Sequence, residues 1–339
     1  MATRAREGSW FVNFLRERSF WIALVIWAGC AAAISPLSHR TLPFNRPGLA
    51  GVAYRPQVYV AVFGWLYALI FIGVTYALTR RRAIPDMGAR APNAVMAMRE
   101  TLALWIYGAI VMAGGQLIGR RMFGEGIGLH LNGSLFGMTR MVTPREVWVW
   151  AIYNFVLLAM VPYLFFRARG YSRVALNLKS ANLRNDTLVI IVVLAMETVF
   201  ELFGGSKIMT LTGHQIVLGG ALSFLVHLLG TGLPVMIFIY SILMPRYARL
   251  TGSVVATTLL GAVSYAVVHL FEYWTVYDSG PHSMLSVIFI LLTFVSPGLV
   301  KSYLTVRTGN AWVHLWSFHA IAPHVTSDTP MIVEIFGIH

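Results

Sequence analysis

Histidines and acidic residues stand inside apolar segments of this chain, where ionisable side chains are rare. His227 lies in SFLVHLLG, His269 and Glu272 lie in SYAVVHLFEYW, and Glu197 and Glu201 lie in AMETVFELF. A charged side chain is costly in a lipid bilayer, so such groups face the interior of a bundle, pair with one another or lose their charge. Imidazoles and carboxylates are also ligands that divalent metals accept. These residues are therefore candidates for metal or proton chemistry within the membrane.

Two pairs of these residues have spacings that fit one face of a helix. Glu197 and Glu201 are four positions apart, about 40° around an α-helix, and His269 and Glu272 are three apart, about 60°. A carboxylate beside a histidine commonly orients the imidazole at a metal site. The plain alternatives are a hydrogen-bonded pair of glutamates near the outer interface and, for His227, an imidazole bonded to a backbone carbonyl.

Three more histidines close the last apolar segment, VRTGNAWVHLWSFHAIAPHV, at His314, His319 and His324. Steps of about 100° per residue would place His319 about 140° from both neighbours in an α-helix. The three rings are therefore not expected to share a face, and we expect His314 and His324 at lateral or interfacial positions. Pro323 lacks the N–H that would bond to the carbonyl of His319, which predicts a kink after that residue.

The elements that carry these residues are membrane helices. The chain has 339 residues, a mean hydropathy of +0.69 and 12% charged residues, about half the charged content of a soluble domain at about 25%. One run of 22 residues, VYVAVFGWLYALIFIGVTYALT, has no charge, and about 20 such residues span a bilayer.

The fold class is an all-α, polytopic transmembrane helical bundle of about eight or nine spans. The apolar segments are 19–37, 58–79, 101–118, 147–166, 187–203, 216–243, 251–270, 284–305 and 310–325. The sixth is interrupted by Gly230, Gly232 and Pro234, which makes the count uncertain by one.

The basic residues set the expected orientation. Alternate loops, beginning with the N-terminus, hold 18 Lys and Arg residues against 8 in the others. Cytoplasmic loops are the richer ones, so we expect a cytoplasmic N-terminus in a bacterial cytoplasmic (inner) membrane. The net charge of +13 lies mostly in these loops and suits membrane lipids as partners rather than nucleic acid. The single cysteine, Cys30, excludes an internal disulfide.

The chain divides near residue 166. Residues 1–165 form N-terminal transmembrane helices with no readable motif, residues 166–325 form a core that holds most of the intramembrane polar residues, and 326–339 form a C-terminal tail. Any chemistry is expected in the core.

The order of motifs in this core resembles the CAAX protease and bacteriocin-processing family of intramembrane metalloproteases, whose eukaryotic members include the Ras-converting endopeptidase. The stretches that carry the resemblance are GYSRVALNLKS (170–180), GLPVMIFIYSILMPRYARL (232–250), GAVSYAVVHL (261–270), LLTFVSPGLVKSYLTVRTGNAW (291–312) and SFHAIAPH (317–324). It implies a membrane core in which glutamates and histidines hold zinc or another divalent metal and activate water to cleave a prenylated or other membrane-embedded peptide.

Carried over residue by residue, the resemblance singles out His269 and His319 as metal ligands. Tyr265 stands for the Phe of the family's Phe-x-x-x-His motif. The family's paired glutamates fall at Val235 and Met236, which supply neither a ligand nor a base. Three further positions depart: Tyr240 replaces an arginine, Ser241 a glycine, and Pro323 the polar residue four places after the last histidine.

Three hypotheses follow from this pattern. The first is a divergent family-like protein, a pseudoenzyme without metal that acts as a membrane scaffold or as an accessory subunit binding membrane proteins or lipid-like ligands. The second is an active metal-dependent intramembrane endopeptidase. The third is another metal enzyme acting on a lipid-like substrate. If a site exists, we predict Glu201 and Glu272 as catalytic residues and His269, His319 and His227 as metal ligands.

Overall fold

The computed structural model describes residues 16–44, 52–124, 142–204, 206–272 and 274–339, and every regular element in these residues is helical. The elements are α1 (Arg18–Ser38), α2 (Tyr54–Thr79), α3 (Ala94–Phe123), α4 (Pro144–Ala168), α5 (Leu183–Phe203), α6 (Gly213–Thr251), α7 (Val254–Val267), α8 (Gly280–Thr308), a stretch we call the histidine segment (311–327), and α9 (Thr329–Phe336).

Six of these helices, α1, α2, α3, α4, α6 and α8, are long and apolar enough to cross a membrane. The prediction of an all-helical protein of membrane type is thereby confirmed for the described residues. Each of the nine apolar segments of the sequence falls on a helical element. The number of eight or nine spans and the side of the N-terminus stay predictions.

The long helix α6 lies at the centre of the bundle. It runs unbroken through Gly230, Gly232 and Pro234, where the sequence left open a division into two elements. Two π-helical stretches lie within it: Leu228–Gly232 contains both glycines, and Met236–Leu243 follows the α-helical residues Leu233–Val235 that contain Pro234. Every residue from 235 to 246 is buried, as expected of a helix that is surrounded by other helices.

Basic residues connect the helix ends on the predicted cytoplasmic side. Arg246 of α6 pairs with Glu100 of α3 at 2.7 Å, and the Tyr171 hydroxyl donates to the same carboxylate at 2.7 Å. Burial and this hydrogen bond raise the pKa of Tyr171 to about 12, so the hydroxyl stays a donor at neutral pH. Arg82 pairs with Asp186 of α5. These contacts fix the helices to one another where the chain leaves the bundle.

Three basic residues that the charge count placed in loops are instead buried within helices. Arg246 lies in α6, and Lys301 and Arg307 lie in α8. Without them the predicted cytoplasmic loops still hold 15 basic residues against 8, so the charge bias that predicts the orientation is kept.

Both ends of the histidine segment are held by close contacts. Gly309 ends α8 in the left-handed conformation (φ 62°), and Asn310 caps the next turn while donating to Asp186 at 2.9 Å. At the other end α9 packs on α6, where a Cβ added to Gly219 would lie 2.5 Å from Val333. The absence of a side chain at Gly219 therefore sets how closely α9 approaches.

Helices α7 and α8 also approach closely, which yields a test of the fold. A Cβ added to Gly298 would lie 2.8 Å from backbone atoms of Ala262, whereas one added to Gly73 would have nothing within 4 Å. We expect Gly298→Ala to force the two helices apart and to destabilise the protein by about 1–3 kcal/mol. Gly73→Ala should leave the melting temperature in detergent unchanged or slightly raised. Equal melting temperatures for the two variants would contradict this packing.

Candidate functional site

The backbone of the histidine segment leaves α-helical geometry after its first turn. Ala311–His314 is α-helical, and two π-helical turns follow, Leu315–His319 and Ala322–Ser327. The N–H of Ala320 donates to the carbonyl of Leu315, five residues back, at 2.8 Å. A π turn brings residues five apart onto adjacent turns, and such turns are frequent at functional sites.

The π turns place His314, His319 and His324 in one row. Ring centroids are 6.1 Å apart for His314 and His319, and 5.6 Å apart for His319 and His324. All three are buried, at 0%, 2% and 5% exposure. The expectations of divergent rings and of lateral or interfacial positions for His314 and His324 were therefore wrong. They assumed 100° per residue, whereas five-residue spacing matches the π turn.

His324 continues the row onto α6. Its ring stacks on that of His227, with centroids 4.4 Å apart and planes inclined by 9°. Its Nδ1 lies 2.8 Å from Oδ2 of Asp328, and Nε2 of His227 lies 3.2 Å from the same oxygen. His227, His324 and Asp328 are all buried, and one ligand atom from each lies within 4.8 Å of the others. We call these three residues the triad.

Ser223, one turn before His227 on α6, holds both imidazoles in place. Nδ1 of His227 lies 2.8 Å from the carbonyl oxygen of Ser223, to which it donates. The Ser223 hydroxyl donates to the carbonyl of His324 at 2.6 Å. A backbone carbonyl that accepts from one ring nitrogen leaves the other nitrogen as the metal-binding one, which is the usual outer arrangement of metal-site histidines.

The contact between His227 and Asp328 requires a proton or a metal ion. When Nδ1 of neutral His227 donates to Ser223, Nε2 presents a lone pair to Oδ2 of Asp328, which already accepts from His324. Two acceptors 3.2 Å apart repel unless a proton or a metal ion lies between them. Nε2 of His227 and Nε2 of His324 are both buried without a hydrogen-bond partner, and such groups call for an explanation in a folded protein.

A divalent metal fits this donor set. Metal–ligand distances of about 2.0–2.2 Å place neighbouring ligand atoms roughly 3.0–3.4 Å apart, and Nε2 of His227 lies 3.2 Å from Oδ2 of Asp328. The shorter contact of His324, 2.8 Å, has the length of a hydrogen bond. Because the two rings are nearly parallel, a shared ion requires the His324 ring to turn out of the stack.

The predicted ligand His269 lies elsewhere in the bundle. Its Nδ1 lies 2.7 Å from the carbonyl oxygen of Tyr265, its ring stacks on Phe294 with centroids 3.8 Å apart, and its Nε2 is 3.9 Å from Glu272. The predicted pair His269 and Glu272 is thus brought together. It is not part of the triad.

Tyr265 lies against both histidines that the family resemblance pairs. Its ring centroid is 4.6 Å from that of His269 and 5.9 Å from that of His319. Val235 and Met236, where the resemblance would place paired glutamates, are buried in the same apolar cluster as Tyr265. The Tyr265 ring therefore contacts both imidazoles and also the ammonium group of Lys301, 3.7 Å from its centroid, and positions 235 and 236 contribute no carboxylate.

The predicted glutamates of α5 contact the polar interior from its other side. Glu201 accepts a hydrogen bond from the hydroxyl of Ser327 at 2.5 Å, one residue before Asp328. Glu197 accepts from the Tyr67 hydroxyl. Glu201 therefore lies beside the segment that carries the triad, and Glu272 lies beside His269.

Of the three residues of the triad, the sequence analysis names only His227 as a candidate ligand; it places His324 at a lateral position and does not consider Asp328. Asp328 had been assigned to the C-terminal tail, outside the last apolar segment. The signal was the four-residue spacing in HVTSD, which places an imidazole and a carboxylate on adjacent turns of a helix.

Comparisons with protein-family models, with curated proteins and with solved structures find no match to this chain.

Two His–Asp pairs with the same four-residue spacing allow a matched test of the site. His324 and Asp328 are buried, whereas Asp278 and His282, 2.6 Å apart, are exposed. Removing one partner of a buried pair typically costs about 3–5 kcal/mol. We expect Asp328→Ala to lower the melting temperature strongly and Asp278→Ala to leave it unchanged. Similar melting temperatures for the two variants would contradict a buried role for Asp328.

Proposed function

We propose that this integral membrane protein is a metal-dependent enzyme whose divalent ion is held by His227, His324 and Asp328. The observation that carries the proposal is the contact of Nε2 of His227 with Oδ2 of Asp328, two acceptors facing each other at 3.2 Å in a buried site. An ion between them converts a repulsion into two coordinate bonds. It also satisfies polar atoms that would otherwise be costly to bury.

The ligand set favours catalysis over a closed structural site. Structural zinc sites use four protein ligands, whereas catalytic sites use three and keep a position for water or substrate. Two histidines with one carboxylate are such a set of three, and zinc bound in this way lowers the pKa of its water towards 7. We therefore propose hydrolysis by a metal-activated water as the reaction class, with zinc as the preferred ion.

The position of the triad points to a substrate that is itself embedded in lipid. The triad is buried among helices long and apolar enough to cross a membrane. A substrate that reaches it must carry a large apolar part, as a lipid or a lipid-linked peptide does. His319, next to His324 in the row, and Glu201, which accepts a hydrogen bond from Ser327 beside Asp328, are the polar side chains that we assign to receive it.

A second candidate function is that of a non-catalytic accessory or binding subunit. It is favoured by Val235 and Met236, because apolar side chains occupy the positions at which the resembled peptidases have glutamates. In that case any metal at the triad would only clamp the histidine segment to α6. Peptidase chemistry at His269 and His319 has less support, since the Tyr265 ring lies against both rings. A location in a bacterial cytoplasmic membrane remains a prediction.

Metal analysis of the full chain purified in detergent tests the proposal. We expect about one zinc ion per chain, lost in His227→Ala and in Asp328→Asn. His269→Ala is the matched control, because His269 is also a buried imidazole that bonds to the carbonyl four residues back. It should retain the metal. Loss of metal in His269→Ala but not in His227→Ala would move the site to the pair that the resemblance predicts.

Replacing the zinc with cobalt distinguishes a catalytic metal site from one that only holds the histidine segment to α6. An open coordination position lets azide or cyanide bind the ion and shift the visible absorption of the Co²⁺ protein, whereas a closed site does not respond. A shift that is absent from the His227→Ala protein supports the enzyme. A metal-loaded protein with no response supports the accessory role. No bound metal in the wild-type protein would overturn both the enzyme and the clamp.

A further inference from the structure

A cavity of about 640 Å³ lies where the start of α1 meets the junction of α6 and α7. A cavity of this size is large enough for a small-molecule ligand. Both segments that form it belong to the parts of the chain that the charge pattern places on the cytoplasmic side. We therefore expect the cavity at the level of the lipid head groups. Six of its seven lining residues are polar or charged: Arg16, Glu17, Arg18, Ser19, Thr251 and Ser253, with Ala256 as the seventh.

The two arginines of the cavity have no counter-ion among the residues that the structure describes. The carboxylate between them in sequence, Glu17, accepts a hydrogen bond from the Ser253 hydroxyl at 3.0 Å instead. Helix α1 begins at Arg18, and cations at the N-terminal end of a helix oppose its dipole. The Ser19 hydroxyl oxygen is buried and makes no hydrogen bond within the described part of the chain. An anion bound beside Arg16 and Arg18 would compensate their charge and complement the helix dipole.

The cavity is open, and exposed apolar side chains border it on both helices. The buried residues of α1, Ile34 and Ser38, both lie towards the end of the helix that is far from the cavity. Near the cavity, Trp21 of α1 is 50% exposed and Val254 of α7 is 38% exposed. A polar recess is thus followed by apolar surface along both helices. A ligand with a charged head group and acyl chains matches this order of surfaces.

We propose that this cavity binds the phosphate of an anionic phospholipid of the phosphatidylglycerol type, with Arg16 and Arg18 as the donors. A guanidinium group suits phosphate because its N–H groups form a planar fork. Two arginines and Glu17 give the lining a net charge of +1, which matches the single negative charge of a phosphodiester. The acyl chains would lie along α1 and α7 and join the end of α1 that has no buried residue to the bundle. The site shares no residue with the triad, so it does not depend on a metal there.

Binding of phosphatidylglycerol and of phosphatidylcholine with the same acyl chains tests the proposal, because the two lipids differ in the charge of the head group. Native mass spectrometry of the full chain in detergent gives the affinity for the first bound lipid. We expect phosphatidylglycerol to bind about tenfold or more tightly, since each basic residue near anionic lipid contributes roughly fivefold. Replacing both arginines, Arg16→Gln together with Arg18→Gln, should reduce its affinity to that of phosphatidylcholine.

Two controls distinguish the cavity from the general attraction of a basic surface. Arg80→Gln together with Arg81→Gln removes two exposed arginines from the same predicted side of the membrane and should keep the preference for phosphatidylglycerol. Ala256→Trp fills the cavity and leaves both of its arginines in place. It should abolish the preference, and it provides the reading if the double variant at Arg16 and Arg18 does not fold.

Glycerol 1-phosphate distinguishes a lipid from a soluble phosphate ester as the ligand. It carries the phosphate without acyl chains, so we expect millimolar concentrations to leave the bound phosphatidylglycerol in place. Displacement by glycerol 1-phosphate would overturn the assignment of a lipid. Equal affinity for the two lipids, or a preference that persists in Ala256→Trp or in the double variant at Arg16 and Arg18, would overturn the cavity as the binding site.

Discussion

The hydrogen bond from the N–H of Ala320 to the carbonyl of Leu315 decides the arrangement of the polar interior. It spans five residues where an α-helix would span four, and it lengthens the turn by one residue. Histidines five positions apart then lie on adjacent turns and in one row. In an α-helix the same spacing would rotate His319 by about 140° from its neighbours. The row, and its continuation onto His227, therefore exists only because the backbone takes the rarer hydrogen-bond pattern.

A π turn is less favourable than an α turn, so the surrounding structure must hold it. At its start, Asn310 caps the segment and donates to Asp186, which in turn pairs with Arg82. At the end of the histidine segment, the Ser223 hydroxyl of α6 donates to the carbonyl of His324, and α9 packs closely against Gly219. Pro323 removes one N–H that a regular helix would need, so the α alternative is itself weakened there. The contacts at the two ends of the segment hold its π-helical register, and Pro323 lowers the free-energy cost of departing from α-helical geometry.

The helices were predictable because they depend on average properties of the sequence. Long apolar runs require helices in lipid, since each backbone group must bond within its own segment, and all nine runs are helical. The row of histidines was not predictable, because a sequence gives spacing but not the number of residues per turn. Asp328 was missed for a related reason: it follows the last apolar residues, and only the fold returns it to the interior of the bundle. Lys301 was counted with the loops because charge within a long helix is indistinguishable from charge at its end until burial is known.

Tyr265 contacts two groups of polar residues with different chemistry. Its ring packs against His269, which lies near Glu272, and against His319, which leads along the row to His324. In the arrangement that the resemblance implies, an ion shared by His269 and His319 would need carboxylates from α6, at positions where the side chains are Val235 and Met236. An ion at the triad would not need them, because Asp328 would supply a carboxylate from the end of the histidine segment. The same helix α6 therefore carries the apolar Val235 and Met236 and also His227, and the set of three ligands that we propose is assembled at His227.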